Sequence, residues 1–294
     1  MRNYLWILVG LGLLLLNACN PGLNTTTSSG GDPKVVAVNG TLADIAQEIA
    51  GDRVDIDVLI PPGADPHTFQ PTPRDVAKIA DSKMLIANGA GLEEWLQEVI
   101  DNAGGQSMLI IAADGLPESG DRPGDPHFWL DPIYVIHYAR QIRDGFIELD
   151  PTGEPVYVQN TDAFIAQLED LDEWIRQQVT TISPEKRLLV TNHESFGYFA
   201  DRYGFVIVGT IIPSVSTGSS PTAQQMVALV ESIKATNTGA IFLEAGSNAD
   251  LAQQLAEEAG INVIVDLHTQ PLNPDEGYID MMKYNTRAIV EALK

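Results

Sequence analysis

The chain has 294 residues, of which 44% are hydrophobic, and it carries a formal net charge of −23 at pH 7. This length and composition are ordinary for globular proteins and sufficient for two α/β domains. The negative charge argues against nucleic acid as a partner, because an acidic surface repels phosphate backbones and mildly attracts cations. The excess of acidic residues is also compatible with a role in solubility alone.

The first 18 residues have the pattern of a signal peptide for export. A basic residue at position 2 precedes an apolar run at 4–16 that is shorter than the roughly 20 residues needed to span a membrane. The run ends in Leu16-Asn17-Ala18-Cys19, which resembles a bacterial lipobox. Cleavage before Cys19 and acylation of its thiol would anchor the chain to a membrane from the outside. Because Asn17 is unusual at its lipobox position, a secreted protein without an anchor is the alternative.

The segment 19–33 is predicted to be a flexible tether that carries the lipid on Cys19. It consists mostly of Pro, Gly, Asn, Thr and Ser, and so it has too little apolar surface to fold. Cys19 is the only cysteine of the chain, which leaves no thiol for a disulfide. Stability outside the cytoplasm must therefore come from hydrophobic cores.

The part of the chain at 34–154 alternates between short apolar runs and amphipathic segments. Such alternation predicts a doubly wound parallel sheet with helices on its faces. The predicted strands are 34–38, 55–60, 84–87 and 108–112, and the predicted helices are 42–50, 73–80, 93–102 and 133–147.

A single long helix is predicted at 155–182. Phe164, Leu168, Leu171, Ile175 and Val179 recur at steps of three or four residues and so form one apolar stripe. A helix of this length runs roughly 40 Å, which is long enough to join two lobes rigidly and limit their relative motion. The pattern alone also allows an ordinary surface helix that belongs to one domain.

The part of the chain at 183–294 repeats the alternation of strands and helices. The predicted fold is therefore α/β, with two doubly wound parallel-sheet lobes joined by one long rigid helix. The predicted strands are 187–191, 206–211, 240–244 and 262–266, and the predicted helices are 222–235, 250–259 and 278–293.

Two of the five histidines lie in similar loops of the first lobe. His67 and His127 each end an Asp-Pro-His sequence, and prolines flank both loops. A ligand on a stiffened loop loses little conformational entropy on binding, and ligands of α/β sheets favour the carboxyl ends of strands. Both imidazoles are therefore candidate metal ligands.

Two further candidates lie at the ends of strands in the second lobe. His193 follows the predicted strand at 187–191, and Asp266 ends the strand at 262–266. Three neutral imidazoles and one carboxylate suit a tetrahedral zinc site. The wide spacing of these residues matches no compact zinc motif, so the pattern alone leaves the site open.

Three segments of the chain carry a resemblance to a known family. They are 65–73, 125–132 and 192–204, with the sequences DPHTFQPTP, DPHFWLDP and NHESFGYFADRYG. Over 34–294 the chain resembles the zinc- and manganese-binding solute receptors of ABC importers, the TroA-like group of cluster A-I binding proteins. The resemblance implies a metal site in the cleft between two lobes, with His67, His127, His193 and Asp266 at the four ligand positions. It also implies an importer permease as the partner.

The metal is predicted to be zinc, with manganese as the alternative. In the family, the third ligand position is Glu in many manganese receptors and His in zinc receptors, so the resemblance places His193 with the zinc group. Nitrogen ligands suit zinc, whereas manganese prefers oxygen-rich sites. Many zinc receptors have a His-rich loop, but the corresponding stretch here, 113–125, contains acidic residues and no His.

Three other residues are less strongly indicated as metal ligands or supporting groups. His268 shares a strand face with Asp266, which makes it a possible alternative or supporting group. Glu244 ends the strand at 240–244 and could accept the second N–H of a ligand imidazole. His137 lies on the predicted helix at 133–147 and is excluded as a ligand.

We predict a monomeric, extracytoplasmic receptor without catalysis, because four protein ligands leave no position for an activated water. The rival is a zinc hydrolase in which Asp266 is not a ligand and Glu194 or Glu244 acts as general base. A third interpretation is a surface adhesin or structural lipoprotein with an incidental metal site.

Overall fold

The computed structural model describes residues 34–117, 122–244, 247, 249–272 and 276–294, without the side chains of 263–266. The predicted signal peptide, Cys19 and the tether lie outside the described residues. The described residues belong to one compact unit, Asp32–Lys294. Within that part of the chain, each helix is too short or too polar to span a membrane.

The N-terminal half is built on a parallel sheet of four short strands. Their spatial order is β2-β1-β3-β4, and the central strands β1 and β3 are buried along their whole length. Apolar runs buried on both faces are typical of a parallel sheet covered by helices. The strands are β1 Val35–Ala37, β2 Ile56–Val58, β3 Met84–Ala87 and β4 Met108–Ile111.

Four helices accompany this sheet, and capping side chains fix the first turns of the first and the last of them. The Asn39 side chain accepts from Leu42 N, and the Asp131 side chain accepts from Ile133 N beside a proline at the first helical position. The helices are α1 Gly40–Ala50, α2 Pro73–Ala80, α3 Leu96–Ala103 and α4 Pro132–Leu149.

Helix α3 begins at Leu96, three residues later than predicted. The Glu93 carboxylate explains the difference, since its two oxygens accept from Asn88 N and Gly89 N, each at 3.0 Å. Glu93 thereby closes the turn after β3 and does not serve as a helical residue. The local apolar pattern of 93–102 contains no sign of this contact.

The predicted long helix is α5, Glu154–Val179, and its 26 residues extend about 39 Å. The predicted apolar stripe is its buried face. This face packs against α1 and α4 of the N-terminal half and also against α9, Tyr278–Leu293, of the C-terminal half. The helix ends before 182 because the hydroxyls of Thr180 and Thr181 bond back to Gln177 O and Gln178 O.

The C-terminal half contains two pairs of parallel strands, β5-β6 and β7-β8, with β7 lying beside β5. Helix α9 also reaches the N-terminal half, because Tyr278 N donates to Asp44 Oδ2 on α1 at 2.7 Å. The strands are β5 Leu188–Thr191, β6 Val206–Thr210, β7 Ala240–Glu244 and β8 Asn262–Leu267, and the remaining helices are α6 Gly197–Tyr203, α7 Ala223–Thr236 and α8 Ala249–Ala259.

The loops after β2, β4 and β5 meet where the two halves face each other. The parallel strand pairs and helix α5 confirm the predicted α/β fold with parallel sheets and one long connecting helix. The exact division into 34–154, 155–182 and 183–294 stays a prediction.

Candidate metal centre

Three imidazoles from these loops form one cluster. His127 Nε2 lies 3.2 Å from His67 Nε2 and 3.2 Å from His193 Nε2. Two ligand nitrogens bound 2.0–2.1 Å from a tetrahedral zinc are separated by about 3.3 Å, so the spacing fits a shared ion. His127 and His193 are buried, whereas His67 is partly exposed. Among the described residues, these three are the group able to share a metal ion.

His67 is presented by the loop that follows β2. Asp65 Oδ1 accepts from His67 N at 2.9 Å, which closes a turn over the intervening proline. The indole of Trp95 donates to Pro66 O at 2.9 Å. The backbone of the loop is thus tied to its own turn and to the start of α3.

His127 is held more tightly by the corresponding aspartate. Asp125 Oδ1 lies 3.0 Å from His127 N and 2.8 Å from His127 Nδ1, so one carboxylate fixes both the backbone and the ring. Asn88 Nδ2 donates to Pro126 O at 3.0 Å, and Tyr138 donates to Asn88 Oδ1 at 2.5 Å. These contacts connect the His127 loop to the carboxyl end of β3 and to α4.

His193 lies two residues beyond β5, next to the end of β7. Its Nδ1 is 2.7 Å from Glu244 Oε1, close enough for the carboxylate to attract a proton on that nitrogen. Ser195 Oγ donates to the same Glu244 oxygen at 2.8 Å. Thr191 Oγ1 donates to His193 O at 2.9 Å and fixes the turn that carries the ring.

The two carboxylates determine which nitrogen of each ring faces the cluster. Asp125 and Glu244 both favour a proton on Nδ1, which leaves the Nε2 lone pairs of His127 and His193 directed at each other. Two lone pairs separated by 3.2 Å repel unless a cation lies between them. The arrangement is therefore suited to bind a metal cation.

Burial keeps two of the imidazoles neutral at physiological pH. Burial, together with the neighbouring rings of His127 and His193, lowers the pKa of His67 to about 4. Burial also lowers the pKa of His127 well below its ordinary value. For His193, burial acts in the same direction, but the Glu244 carboxylate outweighs it and raises the pKa. Neutral imidazole is the form that coordinates metal, so His67 and His127 need lose no proton.

The remaining predicted site residues lie outside the cluster or outside the described side chains. Asp266 is part of β8, but its side chain is not described, so its role as the fourth ligand stays a prediction. His268 is buried beside the same cavity, with Nδ1 3.0 Å from Glu276 Oε1 and its ring stacked on Tyr284 at 4.4 Å. The excluded His137 directs Nε2 at Asp114 O, 2.7 Å away.

The sequence reasoning missed the roles of Asp65, Asp125 and Thr217 around the cluster. Asp-Pro-His occurs twice, and an Asp two residues before a His is well placed to accept from its backbone N–H. That repeat was the available signal for Asp65 and Asp125. Thr217 gives no such signal, because it meets Asp65 across 152 residues of chain.

The cluster opens into a cavity of about 380 Å³. Among the described residues, its wall includes all three imidazoles together with Asp65, Glu244 and His268. An α/β protein with three clustered imidazoles at the junction of its two halves, two of them beside carboxylates, is, by class, a metal-binding protein. Its ligands come from separate loops, so the bound ion would hold these loops together.

Comparisons with known proteins identify the family. Residues 35–292 match the model of the family described as ZnuA, zinc-uptake complex component A periplasmic, and the chain belongs to this family. The manganese-binding lipoprotein MntA of Halalkalibacterium halodurans is 32% identical over 286 residues, which cover 95% of each chain. The iron ABC transporter substrate-binding lipoprotein MtsA of Streptococcus pyogenes serotype M1 is 30% identical over 301 residues, covering 96% of each chain.

A solved structure supports the same relationship. The periplasmic zinc binding protein TroA from Treponema pallidum superposes with a TM-score of 0.82 at 27% identity, covering 90% of this chain and 99% of that chain. The resemblance predicted from the sequence is confirmed, and so is the expectation of a metal-binding receptor of an ABC importer that is not an enzyme. The relatives are named for manganese, iron and zinc, so family membership leaves the metal open.

Proposed function

We propose that the chain is an extracytoplasmic receptor that binds zinc through His67, His127, His193 and Asp266 and delivers it to an importer permease. The observation that carries the proposal is the pair of 3.2 Å contacts that join the three Nε2 atoms. These distances match the ligand spacing around a zinc ion. The carboxylate of Asp266 would complete four-fold coordination.

Zinc is preferred because the donor set is rich in nitrogen. At a shared site of nitrogen and oxygen donors, zinc also binds more tightly than manganese. A manganese receptor is the second candidate, and the relative named as a manganese-binding lipoprotein at 32% identity favours it. The two candidates use the same residues and differ in metal preference.

The position of Glu244 supports capture of the ion without catalysis. Its Oε1 contacts both His193 Nδ1 at 2.7 Å and Ser195 Oγ at 2.8 Å, so the carboxylate orients a ligand and is not directed at a bound water. With four protein ligands, the ion would have no open position for a reacting water.

The receptor is proposed to act from a lipid anchor on Cys19, through the tether at 19–33, as a monomer. Relatives described as lipoproteins support the anchor. We retain the proposed division into an N-terminal lobe at 34–154, a linking helix at 155–182 and a C-terminal lobe at 183–294. The packing of α5 against helices of both halves supports this division.

Competitive titration of the metal-stripped protein with zinc and manganese tests the proposal. We expect tight binding of one zinc ion, strong loss of affinity in His193→Ala, and little change in the control variant His137→Ala. His137 is a suitable control because its ring bonds to Asp114 O, away from the cluster. Preference for manganese would favour the second candidate. A zinc affinity that does not change in His193→Ala would refute the proposed metal site.

A further inference from the structure

The three histidines are not held equally. Helix α6, which follows His193, is fastened to the loop that carries His127. Tyr198 donates to Asp125 O at 3.1 Å, and its ring stacks on Phe128 at a centroid distance of 4.5 Å. The loops of His127 and His193 are therefore joined to each other through direct packing, independently of any bound ion.

An ion pair extends this attachment along α6. Arg202 Nε lies 3.1 Å from Asp131 Oδ1 at the N-terminus of α4 and 2.8 Å from Asp172 Oδ1 on α5. Both partners belong to long helices, which gives the His127 and His193 loops a common rigid support. We expect these two imidazoles to keep their relative positions when the ion leaves.

The His67 loop is tied to the C-terminal half by a smaller set of contacts. Thr217 Oγ1 donates to Asp65 Oδ2, and Gln270 Nε2 donates to Ala64 O at 2.9 Å. His67 is also the one member of the cluster that is partly exposed. Among the described residues, the His67 loop thus has fewer contacts with the C-terminal half than the His127 loop has.

The two Asp-Pro-His sequences use their aspartates differently. Asp125 braces the ring of its own histidine at Nδ1. Asp65 accepts only the backbone N–H of His67, and its second oxygen receives the hydroxyls of Thr68 and Thr217. Among the described residues, no carboxylate braces Nδ1 of His67. A hydroxyl supplied by the opposite half therefore contributes to the position of the His67 loop.

The segment that supplies this hydroxyl is organised by local hydrogen bonds. Ser216 N donates to Ser214 Oγ at 3.1 Å, and Gly218 N donates to Ser216 Oγ at 3.3 Å, so Thr217 lies at the tip of a compact turn. A Cβ placed on Gly218 would be 3.7 Å from Thr68 Cγ2, which shows how closely the turn approaches the His67 loop. Thr217 also lines the cavity above the imidazoles.

We propose that Thr217 is a positioning residue that holds the His67 loop over the bound ion through Asp65. Breaking the hydrogen bond between Thr217 and Asp65 frees His67 first, while His127 and His193 retain the ion until release is complete. Thr217 therefore governs how fast the ion leaves and has little influence on how fast it arrives. This inference rests on the proposed function, because it takes the three imidazoles as ligands.

The experiment measures zinc release from the loaded protein into excess chelator by stopped flow. In Thr217→Val we expect release to become about tenfold faster, since a hydrogen bond to a charged group is lost. The rate of zinc association is expected to stay close to that of the wild type. Thr217→Ser retains the hydroxyl and should restore slow release, and Ser220→Ala in the same segment serves as the control.

A double-mutant cycle separates positioning of His67 from a general loosening of the fold. If Thr217 acts through His67, then Thr217→Val should not accelerate release further in the His67→Ala background. An equal acceleration in both backgrounds, fast release from Thr217→Ser, or unchanged release from Thr217→Val would overturn the inference. Thr217→Ala repeats the test with a smaller side chain.

The result is distinguishable from failure of the proposed function. If the wild-type protein binds neither zinc nor manganese, the receptor proposal fails, and the role of Thr217 fails with it. If the wild type binds zinc tightly and the cycle shows no coupling between Thr217 and His67, only the inference about Thr217 fails.

Discussion

His193 Nδ1 lies 2.7 Å from Glu244 Oε1, and this contact joins the loop after β5 to the last residue of β7. The two groups change each other's protonation. Burial raises the pKa of Glu244, but the charge of His193 outweighs burial and lowers the pKa below its ordinary value. Glu244 therefore keeps a negative charge beside a ligand of the candidate metal.

Glu244→Gln is expected to weaken zinc binding by about 10- to 100-fold, because a neutral amide orients the imidazole less strongly and makes it less basic. Calorimetric titration of the stripped protein measures the change. Glu231→Gln, which removes an exposed carboxylate from α7, is the matched control. Unchanged zinc affinity in Glu244→Gln would show that the contact has no role in binding.

Zinc affinity should fall with decreasing pH in two stages. His193, whose pKa is raised above the ordinary 6.5, takes up the first proton. Below that pKa the apparent affinity should drop by about tenfold per pH unit, because zinc must displace one proton. Protonation of His67, whose pKa is about 4, makes the loss of zinc affinity steeper only near that pH. Affinity that is constant down to pH 5 would contradict this order of protonation.

The ion pair of Arg202 with Asp172 is expected to stabilise the fold. Arg202 Nη2 lies 2.9 Å from Asp172 Oδ2, and burial of Asp172 is outweighed by the two arginines beside it, which lower its pKa. Arg202→Met should reduce the free energy of unfolding by about 2 kcal/mol. Arg143→Met breaks the more exposed pair with Asp144 and should cost less than about 1 kcal/mol. Urea unfolding of both variants compares them, and equal losses would contradict the prediction.

Glu93 should make the stability of the fold depend on pH. Burial raises the pKa of Glu93 from 4.5 to about 7, so the folded protein binds more protons than the unfolded chain between these values. The contribution of Glu93 to the free energy of unfolding therefore decreases as the pH rises from 4.5 to 7, by on the order of 3 kcal/mol.

Comparison with Glu93→Gln isolates this contribution, because the amide keeps the shape of the side chain without titrating. The difference in unfolding free energy between wild type and Glu93→Gln should shrink or change sign as the pH rises. The exposed neighbour provides the control variant Glu94→Gln, which removes an acidic side chain from the surface beside Glu93. A difference in unfolding free energy between wild type and Glu93→Gln that does not change with pH would refute the raised pKa of Glu93.

The sequence was sufficient to predict most of the strands and helices, and the resemblance to a known family implied the clustering of the three imidazoles. Short apolar runs located the strands, and a helical apolar pattern located the long helix α5. His67 and His127 follow strands of one sheet, whose carboxyl ends meet at one edge, so these two imidazoles could be expected to converge. His193 follows a strand of a different sheet, and only the family resemblance implied that it joins them.

The contacts that support the imidazoles could not be predicted in the same way. Thr217 meets Asp65, and Asn88 meets Pro126, only after the chain has folded. The delayed start of α3 has a similar cause, since the Glu93 carboxylate bonds to the backbone of the preceding turn. Such pairs depend on tertiary geometry and leave no periodic trace in the sequence.

The most direct test of the account is anomalous diffraction from crystals of the zinc-loaded protein, measured on both sides of the zinc absorption edge. The account predicts one zinc peak about 2.0–2.1 Å from the Nε2 atoms of His67, His127 and His193, with the Asp266 carboxylate as fourth ligand. A zinc peak away from these three nitrogens, or an ion bound by fewer of them, would contradict it.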